Sequence, residues 1–241
     1  MDFKNLKTIG KVESCYLDKF GTPRQPGLVK ESFAKITLDA EFQPEESLAG
    51  LEEFDYIWVL FWFHQNTNLR FHAKVHPPRL LGETRGVFAT RSPHRPNPIG
   101  LSLVKLEKIE GNSLLVSGID LVNGTPVLDI KPYLPFVESI PEARAGWAEK
   151  NSPQITVLFN EKSDMFLQEY ETSSAAKSNI KKLIIETLKL DPRPVIYRGF
   201  EEGKEAPYRQ QHAVRIIDVD VHFEFLKKDI ILVYEILSLN N

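Results

Sequence analysis

Short apolar runs separated by tight turns limit the folds open to this sequence more than any other feature. The run LLVSGIDLV (114–122) follows the turn Gly111-Asn112, and Asn123-Gly124 separates it from PVLDI (126–130). Asn-Gly is the dipeptide most typical of two-residue β-hairpin turns, because both residues accept positive φ. Many short strands joined by such turns are typical of antiparallel barrels. We therefore expect a mainly β protein whose N-terminal domain is an antiparallel β-barrel.

The rest of the first 140 residues fits this prediction. A short helix over 45–51 follows Pro44, and YIWVLFWF (56–63) predicts a strand buried on both faces, too short to span a bilayer as a helix. No long helix alternates with the strands, and neither G-x-G-x-x-G nor a phosphate-binding P-loop occurs, which disfavours a Rossmann-type enzyme. The predicted strands of this part cover residues 9–16, 34–38, 56–63, 86–90, 101–109, 114–122 and 126–130.

The pattern changes at the polar, proline-containing segment 149–153, which reads as a linker. We expect a β-barrel domain over 1–150 and a small α+β domain over 151–241. The helix predicted over 173–190 has apolar residues on one face and stops at Asp191-Pro192. The second domain is predicted to contain a strand at 155–159, helices at 162–170 and 173–190, and two paired strands at 212–225 and 230–237.

Charge is unevenly distributed along the chain, although the net charge is only −3. Residues 38–56 contain seven acidic residues and no Lys or Arg, whereas 69–105 contain seven Lys or Arg against one Glu. A basic segment on a mildly acidic protein fits a local anionic ligand. The alternative is a solvated basic face that binds nothing.

The stretch ATRSPHRPNPIG (89–100) lies inside the basic segment and holds three prolines within six positions. Proline restricts its own φ and pushes the preceding residue toward extended conformations. A loop stiffened in this way loses little entropy on binding. Because it carries Arg91, Arg95 and Asn97, we expect a rigid, cationic binding loop.

Other chemistries have weaker support. His72 and His76 have a helical ligand spacing, but Pro77-Pro78 follows them and no third ligand is evident, so we expect no metal. A Ser hydrolase would need a G-x-S-x-G elbow, which is missing, and the aromatic residues of 54–63 fit core packing better than base stacking. The single cysteine, Cys15, fits a reducing compartment, and no signal-peptide pattern or membrane span is evident, so we expect a cytoplasmic protein.

Five motifs stand in order along the chain: PRQPGL (23–28), HQ (64–65), PPRLLG (77–82), GVFATRSPHRPNPIGLS (86–102) and DLVNGTPVLDIKPYLPF (120–136). Together they resemble the TrmO family. The segment DPRP (191–194), with Tyr208 downstream, resembles the second domain of the longer bacterial members. The resemblance implies an S-adenosylmethionine-dependent methyltransferase built on a barrel, acting on N6 of N6-threonylcarbamoyladenosine at position 37 of tRNA, beside the anticodon. It also implies a homodimer with the cofactor near the subunit interface.

The resemblance also implies which residues bind the cofactor, since each of them lies in or next to one of the motifs. The chemistry of the cofactor fits them, because Arg24 or Arg91 can hold its carboxylate in a fork and Asp120 can meet its ammonium. The set implied for the cofactor is Pro23, Arg24, Gln25, His64, Gln65, Arg91, Leu101, Asp120, Leu121, Val122 and Asn123.

N6 of the modified base is amide-like and weakly nucleophilic, so a proton acceptor would assist the transfer, and Asp129 is our hypothesis for it. The threonyl carboxylate of that base needs a cation, for which we name Arg193 and Lys131. The residues expected to contact tRNA are Arg70, Lys74, Arg79, Arg85, Arg95, Asn97, Lys131, Tyr133, Arg193 and Tyr208.

Two other functions remain open from the sequence. A non-catalytic RNA-binding β-barrel would bind tRNA without the cofactor. A small-molecule methyltransferase or hydrolase using the same cofactor site would bind the cofactor without regard to tRNA. A purely structural protein would leave the proline-clamped polar loops without a role.

Overall fold

The structure is a computed structural model that describes residues 6–67, 70–80, 82–148, 155–173, 179–193 and 211–239, with all their side chains except those of Arg79 and Ser173. The prediction of a mainly β fold with an antiparallel barrel is confirmed. Six strands close the barrel in the order β1-β2-β7-β6-β3-β8. The strands of this half are β1 (Gly10–Ser14), β2 (Phe33–Leu38), β3 (Tyr56–Trp62), β4 (Lys74–Val75), β5 (Arg85–Gly86), β6 (Ile99–Glu110), β7 (Ser113–Ser117) and β8 (Pro126–Pro132).

Strand β3 shows how the barrel is filled. Ile57, Val59 and Phe61 are buried, and they alternate with side chains that are only half-buried or exposed. Alternation with a period of two places one set in the core and the other on the outer face. The prediction that this strand is buried on both faces is therefore wrong, because the outward-facing Trp58, Leu60 and Trp62 are only half-buried.

Close packing inside the barrel requires a glycine at the start of β6. Gly100 pairs with Phe61, and a Cβ added at Gly100 would lie 2.1 Å from the Phe61 ring. Any larger residue would displace that ring.

The antiparallel topology brings three connections to one end of the barrel. The loops 15–32, 63–98 and 118–125 follow strands that point to this end and lead into strands that leave it. The connection 39–55, which holds all seven acidic residues of the acidic segment, lies at the opposite end. The basic and the acidic segment are thus separated by the length of the barrel.

Three predicted elements differ in detail. The strand predicted over 86–90 is only the short β5, which pairs with β4 and leads into a 3-10 turn at Val87–Ala89. The helix predicted over 45–51 is α1 (Pro44–Ser47), followed by a separate 3-10 turn at Leu51–Glu53. The strand predicted over 114–122 ends at Ser117, because Gly118 has a φ of 72° and its carbonyl accepts a hydrogen bond from Gly27 N (2.8 Å).

The second half is a four-stranded sheet in the order β10-β11-β12-β9, with β9 parallel to β12. Leu167, Leu183 and Leu188 of the helices are buried in its core. The strand predicted over 212–225 is wrong as one element: a turn in which Ile217 has a φ of 58° divides it in two. The elements of the second half are β9 (Thr156–Phe159), α3 (Glu161–Ser173), α4 (Ile180–Leu188), β10 (Gln211–Ile216), β11 (Val219–Lys227) and β12 (Ile230–Ser238). A short helix, α2 (Pro135–Glu138), precedes them. The remaining 3-10 turns of the described chain are Ala40–Phe42, Pro78–Leu80 and Gly146–Ala148.

Helix α4 is shorter than the predicted 173–190. Its N-cap is Asn179, whose Oδ1 accepts a hydrogen bond from Lys182 N (2.9 Å). Such a cap satisfies an amide that has no partner within the helix. Residues 174–178 of the predicted helix, and the predicted linker 149–153, lie outside the described residues.

The two halves share one hydrophobic core. Tyr16, 1% exposed, bridges to Ile216 of β10, and its hydroxyl is 3.2 Å from Thr187 Oγ1 of α4. The division at residue 150 remains a prediction. No helix in the described ranges is both long and apolar enough to cross a membrane.

Candidate active site

Two of the three loops at the basic end of the barrel meet through side chains that the sequence predicted for the cofactor. Arg91 Nη1 donates to Gln25 Oε1 (2.7 Å), which joins the proline-rich loop to the loop after β1. Asn66 Nδ2 donates to Pro93 O (2.8 Å), and Lys19 Nζ donates to Gln65 O (2.5 Å). The turn at His64-Gln65 is therefore tied to the proline-rich stretch of its own loop and to the loop after β1, and this network is the candidate active site.

Asp120 in the third loop is a half-buried carboxylate at this end of the barrel. Its Oδ1 accepts a hydrogen bond from Ser102 Oγ (2.5 Å), and Ser102 of β6 is fully buried. Burial raises the pKa of Asp120 to about 6, although the Ser102 hydrogen bond and the positive charge of Arg91 both oppose this rise. A carboxylate held in this way favours a neighbouring cation.

His64 is in a different electrostatic setting. Partial burial and the nearby cations Lys19 and Lys11 lower its pKa. The imidazole therefore favours its neutral form at the site, where it can accept or donate a hydrogen bond without adding charge.

The segment after Asp120 contributes through its backbone shape. Leu121 is in the core at 2% exposure, and the carbonyl of Val122 accepts a hydrogen bond from Thr125 Oγ1 (2.6 Å). Asn123 Oδ1 accepts from Ser14 N (3.1 Å), so its amide is engaged in holding the loop against β1. Pro23 is likewise buried. Any contact of these residues with a ligand would come chiefly from main-chain atoms.

The proline-rich loop is stabilised by its own polar side chains. Arg95 Nη1 donates to Thr90 O (2.8 Å) and Val87 O (3.2 Å), and its guanidinium lies 5.7 Å from the Phe88 ring centroid. Arg95 therefore supports the turn at Val87–Ala89 from within, while Arg91 and Asn97 are exposed.

Four predicted residues lie on the outer side of the barrel, away from the network of the three loops. Asp129 pairs with Leu60 of β3, and Leu101 of β6 pairs with the same Leu60 from the other side. Asp129 Oδ2 forms an ion pair with Lys131 Nζ (2.7 Å). Tyr133 follows β8 and contacts Trp58 edge-on, with ring centroids 6.0 Å apart.

The predicted RNA-contacting cations have varied surroundings. Lys74 and Arg85 lie on the hairpin β4-β5, and Arg85 Nη2 forms an exposed ion pair with Glu83 (2.9 Å). Arg70 is exposed. The side chain of Arg79 and all of Tyr208 lie outside the described residues. These predictions remain untested.

Arg193 has an environment other than the one expected for an RNA contact. Its side chain is 3% exposed, and its Nε and Nη2 donate to Asp191 Oδ1 (2.9 Å) and Oδ2 (3.0 Å). Its guanidinium lies 3.3 Å from the centre of the Phe225 ring. Arg193 is thus an internal residue of the second half.

Family models identify both halves of the chain. The model for the tRNA-methyltransferase O N-terminal domain matches residues 11–139, and the model for the TrmO C-terminal domain matches residues 152–239. The chain belongs to the TrmO family. The family predicted from the five motifs is therefore confirmed.

Relatives of TrmO type cover nearly the whole chain. The tRNA (adenine(37)-N6)-methyltransferase of Escherichia coli is 41% identical over 226 residues, covering 91% of this chain and 95% of that protein. A Pseudomonas aeruginosa protein whose name contains the words S-adenosylmethionine-dependent methyltransferase RcsF is 40% identical, with 96% and 97% covered. The crystal structure of TrmO from Pseudomonas aeruginosa superimposes with a TM-score of 0.79 at 35% identity, covering 98% of this chain and 99% of that one.

Two residues at this TrmO site were missed from the sequence. Ser102 lies inside a recognised motif, but only its burial beside Asp120 shows its role as a hydrogen-bond donor. Lys19 has no distinguishing sequence signal, because it reaches Gln65, 46 residues away, only in the folded chain. In the described residues, no group of three His, Cys, Asp or Glu side chains could hold a metal.

Proposed function

We propose that this protein transfers a methyl group from S-adenosylmethionine to N6 of adenine 37 in tRNA, and that the substrate base is N6-threonylcarbamoyladenosine in the anticodon loop. The observation that carries the proposal is the meeting of Arg91 with Gln25 at the barrel end that also holds the half-buried Asp120. Membership of the TrmO family and the names of the E. coli and P. aeruginosa relatives support it.

The charges at this end fit the cofactor. Its amino-acid end has one carboxylate and one ammonium, and the adjacent sulfonium adds a second positive charge. Arg91 keeps further guanidinium nitrogens for a carboxylate, while Gln25 orients the side chain by accepting from Nη1. Asp120 supplies a half-buried negative charge for the ammonium. Opposite charges thus occupy neighbouring positions, as a zwitterionic ligand requires.

The bound cofactor supplies a methyl carbon already activated by its positively charged sulfur. The protein's main task is then alignment, because the new N6–CH3 bond forms in line with the S–CH3 bond that breaks. The loops stiffened by Pro93, Pro96 and Pro98 would hold the binding groups in place with little loss of entropy. The electron pair of the broken bond stays on sulfur, and the N6 proton must pass to an acceptor.

Asp129 is the residue we propose as that acceptor. Its side chain is 44% exposed, and its Oδ2 lies 2.7 Å from Lys131 Nζ. Lys131, next to Asp129, would meet the threonyl carboxylate of the same base. Both residues lie on the outer side of β8, so the substrate base would have to reach the outside of the barrel next to this strand.

A second copy of the chain would complete the site there. The outer face of β3 and β6 is apolar, and Leu101 is 49% exposed at its centre. An exposed apolar surface of this kind marks an interaction site. We propose a homodimer that covers this face, with the cofactor near the interface. The face, called the outer face below, consists of Trp58, Leu60, Trp62, Ile99, Leu101 and Leu103.

The tRNA would approach along the basic segment. Lys74 and Arg85 project from the exposed hairpin β4-β5, and Arg70 and Asn97 are exposed near it in sequence. Contacts to phosphates make binding fall steeply with salt. A protein acting on tRNA in this way is expected in the cytoplasm.

Nucleoside mass spectrometry tests the proposal and both alternatives. The protein and S-adenosylmethionine are incubated with tRNA that carries or lacks threonylcarbamoyl-adenosine at position 37. We expect one added methyl on the modified base only. Transfer to unmodified adenosine would overturn the substrate assignment. Binding of tRNA without cofactor binding would favour a non-catalytic RNA-binding barrel, and cofactor turnover indifferent to tRNA would favour a small-molecule enzyme.

A further inference from the structure

The loop after β1, which carries Arg24 and Gln25, is built against the second half of the chain. Ile217 N donates to Cys15 O (2.7 Å), and the ring of Phe20 stacks on His212 with centroids 6.0 Å apart. Gly21, with a φ of 93°, packs so closely that an added Cβ would lie 2.9 Å from Val214 Cγ1. The first part of this loop therefore takes its shape from β10.

A solvent-exposed ion pair also joins the same loop to β10. Arg215 of β10 donates from Nε to Asp18 Oδ2 (2.6 Å) and from Nη2 to Asp18 Oδ1 (2.8 Å). The carbonyl of Asp18 in turn accepts from Thr22 Oγ1 (2.5 Å). A two-point guanidinium–carboxylate contact restricts orientation as well as distance. Arg215 thus restrains the turn that leads into Pro23 and Arg24.

A second connection comes from Arg193. Arg24 Nη2 donates to the carbonyl of Arg193 (3.2 Å). That carbonyl is held in place because Asp191, buried and with a φ of 51°, accepts both from the Arg193 guanidinium and from Arg193 N (3.2 Å). Phe225 closes the other side of the guanidinium. Left-handed φ at a non-glycine residue persists only where its surroundings enforce it.

We propose that Arg193 and Arg215 are positioning residues for the cofactor. Through Asp191 and Asp18 they hold the Arg24–Gln25 segment where Gln25 can orient Arg91. This inference rests on the proposed function, and it assigns the second half of the chain a role in cofactor binding. Because a restrained loop loses less entropy when a ligand binds, the restraint acts on cofactor affinity.

The test is calorimetric titration of the full chain with S-adenosylmethionine. We compare wild type with two variants, Arg215→Gln and Arg193→Lys. The lysine at position 193 keeps the positive charge but loses the two-point contact with Asp191. Both variants should bind the cofactor roughly fivefold to twentyfold more weakly, as expected for coupled neighbours. Lys162→Gln is the matched control, because it breaks the ion pair with Glu235 (2.5 Å), which lies within the second half. It should bind like wild type.

Steady-state kinetics separates positioning from general damage. In both variants the KM for S-adenosylmethionine should rise, while kcat and the KM for tRNA stay within twofold. Reversing the pair, with Asp18→Arg combined with Arg215→Asp, should restore most of the affinity that Arg215→Gln removes. If Arg193→Lys fails to fold, Arg215→Gln and the reversed pair decide the question.

Three results would overturn the inference. The first is wild-type cofactor affinity in both variants. The second is a raised KM for tRNA with unchanged cofactor affinity, which would make Arg193 an RNA contact after all. The third is a wild-type chain that binds no S-adenosylmethionine, which would overturn the proposed function together with this inference.

Discussion

Ser102 Oγ and Asp120 Oδ1 are 2.5 Å apart at the basic end of the barrel, and together they form a part-buried hydroxyl–carboxyl pair. Ser102 is fully buried, and burial raises the pKa of Asp120 to about 6. The hydrogen bond from the hydroxyl keeps the carboxylate ionised more easily than burial alone would allow. Ionisation of Asp120 thus falls near neutral pH, where it can affect ligand binding.

Cofactor affinity should therefore depend on pH. As pH falls from 7.5 to 5, Asp120 is protonated and no longer attracts the cofactor ammonium. We expect the Kd for S-adenosylmethionine to rise about tenfold over this range, as for the removal of one charged hydrogen bond, with a midpoint near 6 set by the pKa of Asp120. Titration calorimetry of wild type, Asp120→Asn and the exposed-site control Glu107→Gln measures this. A pH dependence that survives in Asp120→Asn would contradict the assignment.

The same carboxyl makes the stability of the cofactor-free fold depend on pH. Its pKa is higher in the fold than in the unfolded chain, so the fold loses stability as pH rises from about 4 to about 6. Holding the ionised form in the fold costs on the order of 3 kcal/mol. Asp120→Asn should raise the melting temperature at pH 8 and have little effect at pH 4. Equal effects at both pH values would contradict this linkage.

Arg91→Lys should weaken cofactor binding. Lysine keeps the charge but loses the planar fork and the geometry of the bond to Gln25 Oε1. We expect roughly a tenfold rise in Kd for S-adenosylmethionine by calorimetry. The control is Lys108→Gln, which breaks an ion pair with Glu110 near the far end of β6. Unchanged affinity in Arg91→Lys would remove Arg91 from the site.

Substitution of the hairpin cations should reduce the salt dependence of tRNA binding. Removing one cation that binds a phosphate should lower the slope of log Kd against log salt by about 1. We expect this for Lys74→Gln and Arg85→Gln, measured by filter binding between about 50 and 200 mM salt. Lys35→Gln, an exposed cation of β2, is the control. An unchanged slope in both hairpin variants would exclude this surface as the RNA path.

Leu101→Glu should separate a dimer into monomers. A charge at the centre of the outer face would be buried by a second copy without a partner. Leu226→Glu is a matched control, since Leu226 is 50% exposed and Leu101 is 49% exposed. Sedimentation velocity should show a dimer for wild type and the control only. Sedimentation of Leu101→Glu as a dimer would place the interface elsewhere.

Local signals predicted much of the fold. Asn123-Gly124 and the apolar runs beside it indicated the hairpin, and β9, β12 and α3 lie close to their predicted ranges. The errors came where tertiary contacts override local preference. β7 ends before Gly118, whose carbonyl accepts a hydrogen bond from Gly27 N, and the outer side of β3 is only half-buried because barrel closure buries one face of the strand.

Sequence alone determined the family through its five motifs. It also determined the barrel and the loops that carry the site, because turn residues, period-two apolar patterns and closely spaced prolines act over a few neighbours. Only tertiary structure decided which side chains meet. Arg91 reaches Gln25 across 66 residues, and Arg24 reaches the carbonyl of Arg193 across 169. The burial that shifts the pKa of Asp120 and encloses Arg193 likewise exists only when distant strands and helices exclude water around them.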